Sequence, residues 1–291
     1  MDQRLLREQI MAKLAQISNQ NGGFVSRKEL EEFTIDGIQR KLVDQSRGIR
    51  NPNWLDSTLS IISNPDGPYD DVITDDGLLE YAYQSGSVDG VNAKLRIAMQ
   101  NQDPVILFRK IATGVYTAHF PVFIVGDDPK ARKVLVAMDE SLALLGSSIE
   151  HSPLQKKYVE RMVKQRLHQP EFRGRVIRAY QTRCAVCSLA HGELLDAAHI
   201  IPDSHAAGSA DVSNGLSLCK IHHSAYDQLF LGISPDFEVV INDDLLAEVD
   251  GPMLKHGIQE MHGRKILLPT SNSQWPKREN LEQRFLEFKA S

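Results

Sequence analysis

The sequence predicts an α+β protein in two parts, a β-rich N-terminal part followed by a C-terminal part built on a zinc-stapled ββα hairpin. Three observations predict it. From Phe33 onward, short apolar runs alternate with clusters of Asp, Asn, Gly and Pro; between Lys156 and Arg183 the chain turns helical and basic; beyond that, Cys184-x-x-Cys187 is answered by Cys219-x-x-His222.

A chain of 291 residues with 42% hydrophobic content can bury two ordinary cores. No apolar run approaches the length of a membrane span, and Met1-Asp-Gln-Arg4 opens no hydrophobic signal segment, so the expectation is a soluble, cytoplasmic protein with no membrane partner. A net charge of −5 argues against a general nucleic-acid coat; any contact with DNA must come from local patches.

Leu5, Leu6, Ile10, Leu14 and Ile17 recur at helical spacing, Asn21-Gly22-Gly23 breaks the pattern, and Ser26 with Glu29 forms a capping-box start for a second helix. Helix, glycine turn and helix invite a helix-turn-helix reading. Glu29, Glu31 and Glu32 weigh against it, because an acidic helix repels phosphates. Strands are expected over 38–43, 57–62, 78–83, 105–111, 115–125 and 133–138, and a helix over 92–100, giving a compact twisted sheet or small barrel. The strands give way to basic helix between about 140 and 165. The expected division is a recognition domain over 1–145, a basic helical linker over 146–170 and a third segment over 171–291.

Basic residues crowd the approach to the cysteines. Lys164, Arg166, Arg173, Arg175 and Arg178, with Lys220 further on, could neutralise backbone phosphates and position a duplex without reading its sequence. A solvated helical face would look the same, but the position of the stretch, directly before the cysteines, favours DNA.

Cys184, Cys187, Cys219 and His222 form two knuckles of equal spacing and use every cysteine in the chain, as a closed structural Zn2+ site does. A redox Cys-x-x-Cys would have no use for the second knuckle, and thiolates remain available to zinc only in a reducing compartment. Adjacent residues on a helix point about 100° apart. If His222 turns to the metal, His223 therefore projects from a neighbouring face, which it shares with Asp227 at i+4. A strand over 194–201 carrying His199, a second over 215–218 and a helix over 220–229 would bring His199, Asn214 and His223 together.

At these residues the segment from Arg183 to Ile233 resembles the HNH, or ββα-metal, nucleases, through Ala197-Ala-His-Ile200, Asn214-Gly-Leu followed by Leu218-Cys219, and His223 with Asp227. The resemblance implies that His199 is a general base, that Asn214 orients it and that His223 helps to hold a catalytic Mg2+ or Mn2+. Phosphodiester hydrolysis needs those parts, a base titrating near neutrality and a hard cation to offset charge on the phosphate. Many members carry Asp or His directly before the base, where this chain has Ala198. Asp196, two residues earlier on the strand, and Asp227, from the helix, are the candidates to supply the missing ligand.

The resemblance extends to Gly48-Ile-Arg-Asn-Pro52, Pro68-Tyr-Asp-Asp71, Asp76-Gly77 with Tyr81 and Tyr83, and Phe120-Pro-Val-Phe-Ile124, which look like the N-terminal half of bacterial HNH restriction endonucleases. That plan implies an SRA/PUA-like reader that flips a modified cytosine from double-stranded DNA. A flipped base needs aromatic faces and polar edge groups, which Trp54, Tyr69, Asp71, Tyr81 and Tyr83 could provide, although Leu79, Tyr81 and Tyr83 alternate as a buried strand face would. One such site cuts one strand, so a homodimer is the simplest route to a double-strand break. The rival readings are an HNH nuclease of repair or mobile-element processing, and a non-catalytic zinc-bearing DNA-binding protein.

Overall fold

The computed structural model describes residues 2–65, 73–74, 77–145, 153–203, 205, 208–249 and 251–291, without the side chains of 144–145, 153–161 and 164. The chain divides into two compact units, one of Met1–Ser18 with Phe24–Glu171, the other of Asn19–Gly23 with Phe172–Ser291.

The first unit opens on α1 (Gln3–Gln20), β1 (Val25–Ser26) and α2 (Arg27–Glu31), the last begun by the expected reciprocal capping of Ser26 and Glu29. At five residues, α2 is too short to be a recognition helix. There follow β2 (Thr34–Ile35), β3 (Ile38–Gln39), β4 (Ile49–Arg50), β5 (Ser60–Ser63), β6 (Leu79–Ala82), α3 (Ala93–Asn101), β7 (Val105–Ala112), β8 (Val115–Asp128), β9 (Lys133–Ala137) and α4 (Glu140–Leu145). Last comes α5 (Pro153–Ala179), whose residues through Glu171 count with this unit.

A seven-stranded mixed sheet runs in the order β4-β5-β7-β8-β9-β6, with β1 beside β8. The path does not join β4 to β6 among the described residues, so it is a sheet rather than a closed barrel. Apolar residues cover both faces. Ile106 and Phe108 pack with Leu6, Ile10 and Leu14 of α1, while Val105 and Leu107 pack with Leu95 of α3 and Val163 and Leu167 of α5. Burial on both sides explains why Val105 to Phe108 is apolar without alternation. Two buried arginines fix helices to this sheet. Arg7 donates to the carbonyls of Thr58 (3.0 Å) and Pro104 (2.9 Å) and to Ser57 Oγ (2.6 Å), and Arg109 of β7 pairs with Glu171 of α5. Removing one partner of such a pair leaves a buried charge, at a cost of about 3–5 kcal/mol.

The long strand expected over 38–43 shrinks to Ile38–Gln39. Asp36 and Gly37 both take positive φ, so the chain turns back at once and pairs Ile35 with Ile38, and Leu42 leaves the ladder for the core.

The second unit contains the anticipated hairpin. β10 (Leu195–His199) pairs antiparallel with β11 (Gly215–Cys219), and α6 (Lys220–Asp227) follows directly. β12 (Leu231–Ile233) and β13 (Val239–Ile241) form a second hairpin, followed by α7 (Asp243–Ala247), α8 (Pro252–Gly257) and α9 (Arg278–Lys289). Its core joins Phe172, Val176 and Tyr180 of α5 to Leu195, Leu216, Tyr226, Leu231 and Leu281. Asn19–Gly23 belongs here because Gly192 lies so close to it that a Cβ at 192 would stand 2.2 Å from the Gln20 carbonyl. No helix among the described residues is long and apolar enough to cross a membrane.

Candidate metal centre and active site

The knuckles are built by backbone. Cys184 N–H donates to Leu189 O and Ser188 N–H to Cys184 O, with Ser188 in the left-handed region (φ 62°), which curls the loop and turns both sulfurs inward. Ala185 N–H donates to Ser217 O (2.7 Å), which ties this loop to β11 and hence to Cys219 at its end. The cysteines form no disulfide.

The ligating atoms of Cys184, Cys187, Cys219 and His222 all lie within 4.8 Å of one another, the one such metal-capable group among the described residues. Tetrahedral zinc, with bonds of about 2.0–2.3 Å, sets donors about 3.5–3.8 Å apart. His222 Nδ1 stands 3.5 Å from Cys184 Sγ and 3.1 Å from Cys219 Sγ, and the Cys187 and Cys219 sulfurs are 4.0 Å apart. The set fits. His222 Nε2 lies 2.8 Å from the Gly257 carbonyl of α8. A carbonyl only accepts, so Nε2 carries the proton and Nδ1 presents its lone pair to the metal, the usual outer partner of a ligating histidine. Hydrogen bonds with Cys184 and Cys187 pull the Cys219 thiol well below its ordinary range, giving it thiolate character.

Beside this cluster, His199 closes β10 with Gly215 directly opposite it on β11. Its ring is half-buried and stacks on Phe172 of α5, with centroids 3.9 Å apart and planes 12° from parallel. Burial lowers its pKa below the ordinary 6.5; Asp203 works against that shift and His223 adds to it. His223 points away from the cluster, as the 100° argument requires, with Nδ1 3.7 Å from Asp196 and Nε2 3.4 Å from Asp227. A carboxylate thus flanks each ring nitrogen.

Asn214 is fully buried, and its side chain is spent elsewhere than on His199. It accepts from Ile201 N–H (3.0 Å) and Asn280 Nδ2 (2.8 Å) and donates to the carbonyls of Ile201 and Ser209 (each 2.9 Å). It therefore clamps the chain just after His199. Any orientation of the base passes through that backbone.

The expected phosphate contacts separate. Arg173 is a correction, because its guanidinium donates to Leu195 O (2.7 Å) and Gly192 O (3.3 Å) and lies 3.6 Å from Asp196, holding β10 in place instead of facing a duplex. Lys220 is exposed and reaches Asp196 at 3.3 Å. Arg178 and Arg166 are exposed, the latter paired with Asp139, and Arg175 is part-buried with a partner of its own. The side chain of Lys164 lies outside the described residues.

Two of the five reader candidates are also corrected. Tyr81 and Tyr83 are core residues, each 6% exposed, with the Tyr81 hydroxyl donating to Gly48 O (3.1 Å) and the Tyr83 hydroxyl to Asp127. The alternation of Leu79, Tyr81 and Tyr83 is that of a buried strand face, and no ring surface is left for a base. Trp54 is part-buried under the Arg40 guanidinium, 4.6 Å from its centroid, while Tyr69 and Asp71 lie outside the described residues.

Sequence reasoning missed Phe172, Asp203, Asn280 and the Gly257 carbonyl. None carries a motif, and three lie far along the chain from the group they serve. Asp203, four residues past His199, could have been noticed.

The HNH endonuclease family model matches residues 184–234, which span the four metal donors, His199, Asn214 and His223. Among solved structures, the chain is similar to a modification-dependent TagI restriction endonuclease, at 16% identity over 90% of each chain and a TM-score of 0.32. It is also similar to the Type IV phosphorothioation-dependent restriction endonuclease ScoMcrA, at 14% identity over 62% of this chain and a TM-score of 0.24. The chain spans 48% of that longer protein. Scores this low carry neither fold nor function across. No curated protein matches the chain.

Proposed function

We propose that this protein, an HNH-type deoxyribonuclease by the domain at residues 184–234, is a metal-dependent restriction enzyme that cuts double-stranded DNA carrying a modified base. The observation that carries the nuclease reading is the ββα hairpin beside the Cys3His cluster, with a half-buried His199 at the end of β10 and His223 between two carboxylates on α6.

In this reading Cys184, Cys187, Cys219 and His222 hold a structural Zn2+, which fixes the start of α6 against the hairpin. His199 acts as general base, with its neutral form favoured by burial. Asn214 fixes the backbone after it. His223, with Asp196 or Asp227, holds Mg2+ or Mn2+, which when bound supplies positive charge against the phosphate and the leaving oxygen. Asp196 also anchors Arg173 and Lys220, so the same carboxylate ties helix, strand and basic residues together.

The restriction role rests on the N-terminal sequence phrases and on a separate β-rich unit ahead of the nuclease hairpin, the plan of modification-dependent enzymes. We assign the SRA/PUA-like reader of modified cytosine to the first unit, residues 1–18 with 24–171, and the nuclease to the second, residues 19–23 with 172–291; the helix expected as a linker over 146–170 is not one, since Val163 and Leu167 of α5 sit in the core of the first unit. With Tyr81 and Tyr83 withdrawn, Trp54 is the described aromatic left to the reader, beside Tyr69 and Asp71. A homodimer acting in the bacterial cytoplasm completes the reading, since two sites are needed for two strands.

The test is digestion of matched plasmids, unmodified or carrying methylated, hydroxymethylated or phosphorothioated DNA, with Mg2+ and with Mn2+. A plasmid with methylated or hydroxymethylated bases should be cut while the unmodified one survives, because extruding a base costs a few kcal/mol that only a matched pocket returns; cutting of the phosphorothioated plasmid alone, where the backbone and not a base is changed, would overturn the base-reading assignment. Equal cutting of all four would keep the nuclease and move it to repair or mobile-element work.

A further inference from the structure

We infer that Phe172 is a positioning residue for hydrolysis, a platform that holds the plane of the His199 ring. The inference rests on the reading of His199 as the base. The rings lie 3.9 Å apart and 12° from parallel, a stacked contact that covers one face of the imidazole and leaves its nitrogens, on the ring edge, uncovered.

The slot for this contact is built. Phe172 is 3% exposed on α5, and its Cζ would stand 2.8 Å from a Cβ placed at position 215. Gly215 is the cross-strand partner of His199, so the missing side chain there is what lets the phenyl ring slide beneath the base. Val176, from the next turn of α5, comes nearer still to that position, its Cγ2 2.5 Å from the same Cβ. An imidazole at a strand end has a broad, two-fold choice of side-chain torsion, and the stack selects one plane from it. A small misplacement of a reacting group is costly, with about 1 Å worth up to about a hundredfold in rate.

The full-length protein is compared with Phe172→Leu, Val176→Ala, Gly215→Ala and the double variant Phe172→Leu with Gly215→Ala, on the plasmid it cuts best, with Mn2+. Phe172→Leu should slow single-turnover cleavage about 10- to 100-fold, while DNA affinity and bound zinc stay at wild-type levels. Val176→Ala opens the same core but leaves the stacked phenyl ring in place, and should cut within about threefold of wild type. Gly215→Ala, whose Cβ would press on both Val176 and Phe172, should slow cleavage in the parent and cost less in the Phe172→Leu background, because the part of its effect that passes through the ring is already gone there. If Phe172→Leu loses its zinc, Phe172→Met, whose flexible unbranched thioether can refill an irregular gap without offering a ring face, is judged by the same criteria. Wild-type cleavage by the Phe172 variant beside an inactive His199→Ala overturns the inference alone. Equal losses in Phe172→Leu and Val176→Ala overturn it as well. Normal cutting by His199→Ala removes the base assignment and the inference with it.

Discussion

His199→Ala should lower the rate of DNA cleavage by about two to four decades, the usual worth of a positioned general base, while DNA affinity stays near wild type. The separation follows from where the ring sits. His199 stacks on Phe172 and closes β10, and it is neither one of the four zinc donors nor one of the exposed cations available to phosphate. Binding and catalysis should therefore come apart in one variant. The wild-type pH profile carries a matching signature. Because burial lowers the His199 pKa, the neutral base persists below the ordinary 6.5, and the rate should rise with pH through that lowered value and then level off. Normal cutting by His199→Ala, or an acid limb centred above 6.5, would contradict the assignment.

Cys184→Ser or Cys219→Ser should release the metal and unfold the C-terminal unit while the N-terminal one stays folded. Structural zinc is worth on the order of 10 kcal/mol in small zinc domains, and a domain's net stability is about 5–15 kcal/mol, so losing the ion can remove most of the margin. The cluster is also woven into the core. Cys184 and Cys219 are buried beside Val186, Leu195 and Leu218, and His222 reaches α8 through Gly257. Elemental analysis should find about one zinc per wild-type chain, and calorimetry should show two transitions, of which only one falls in the variants. A disulfide, or zinc-free protein with unchanged melting, would end the structural-zinc account.

What could be read from the sequence was whatever local spacing controls. The two knuckles, the β10 and β11 strands and α6 lie within a short stretch, so their spacing alone predicts the hairpin, and the capping box at Ser26 and Glu29 likewise marks the start of α2. Partners brought together by tertiary packing gave no signal. Phe172 is one more apolar residue on a helix until α5 lays it under His199, and Gly257 is anonymous until its carbonyl meets the His222 ring. The same gap produced the errors. A basic stretch does not say which arginine turns inward, as Arg173 does to hold Leu195, and two tyrosines on alternate strand positions look alike whether they face a ligand or, like Tyr81 and Tyr83, the core.

The central claim, that one base and one cation site on a zinc-stapled ββα hairpin hydrolyse DNA, is tested most directly by the metal dependence of strand scission. Full-length protein holding its zinc is mixed with the modified plasmid panel, with and without added Mg2+ or Mn2+. The account predicts cleavage with the added cation, none without it, and retained DNA binding in both. Binding of the plasmid with no scission under any of these conditions would contradict it and leave a zinc-bearing DNA-binding protein in its place.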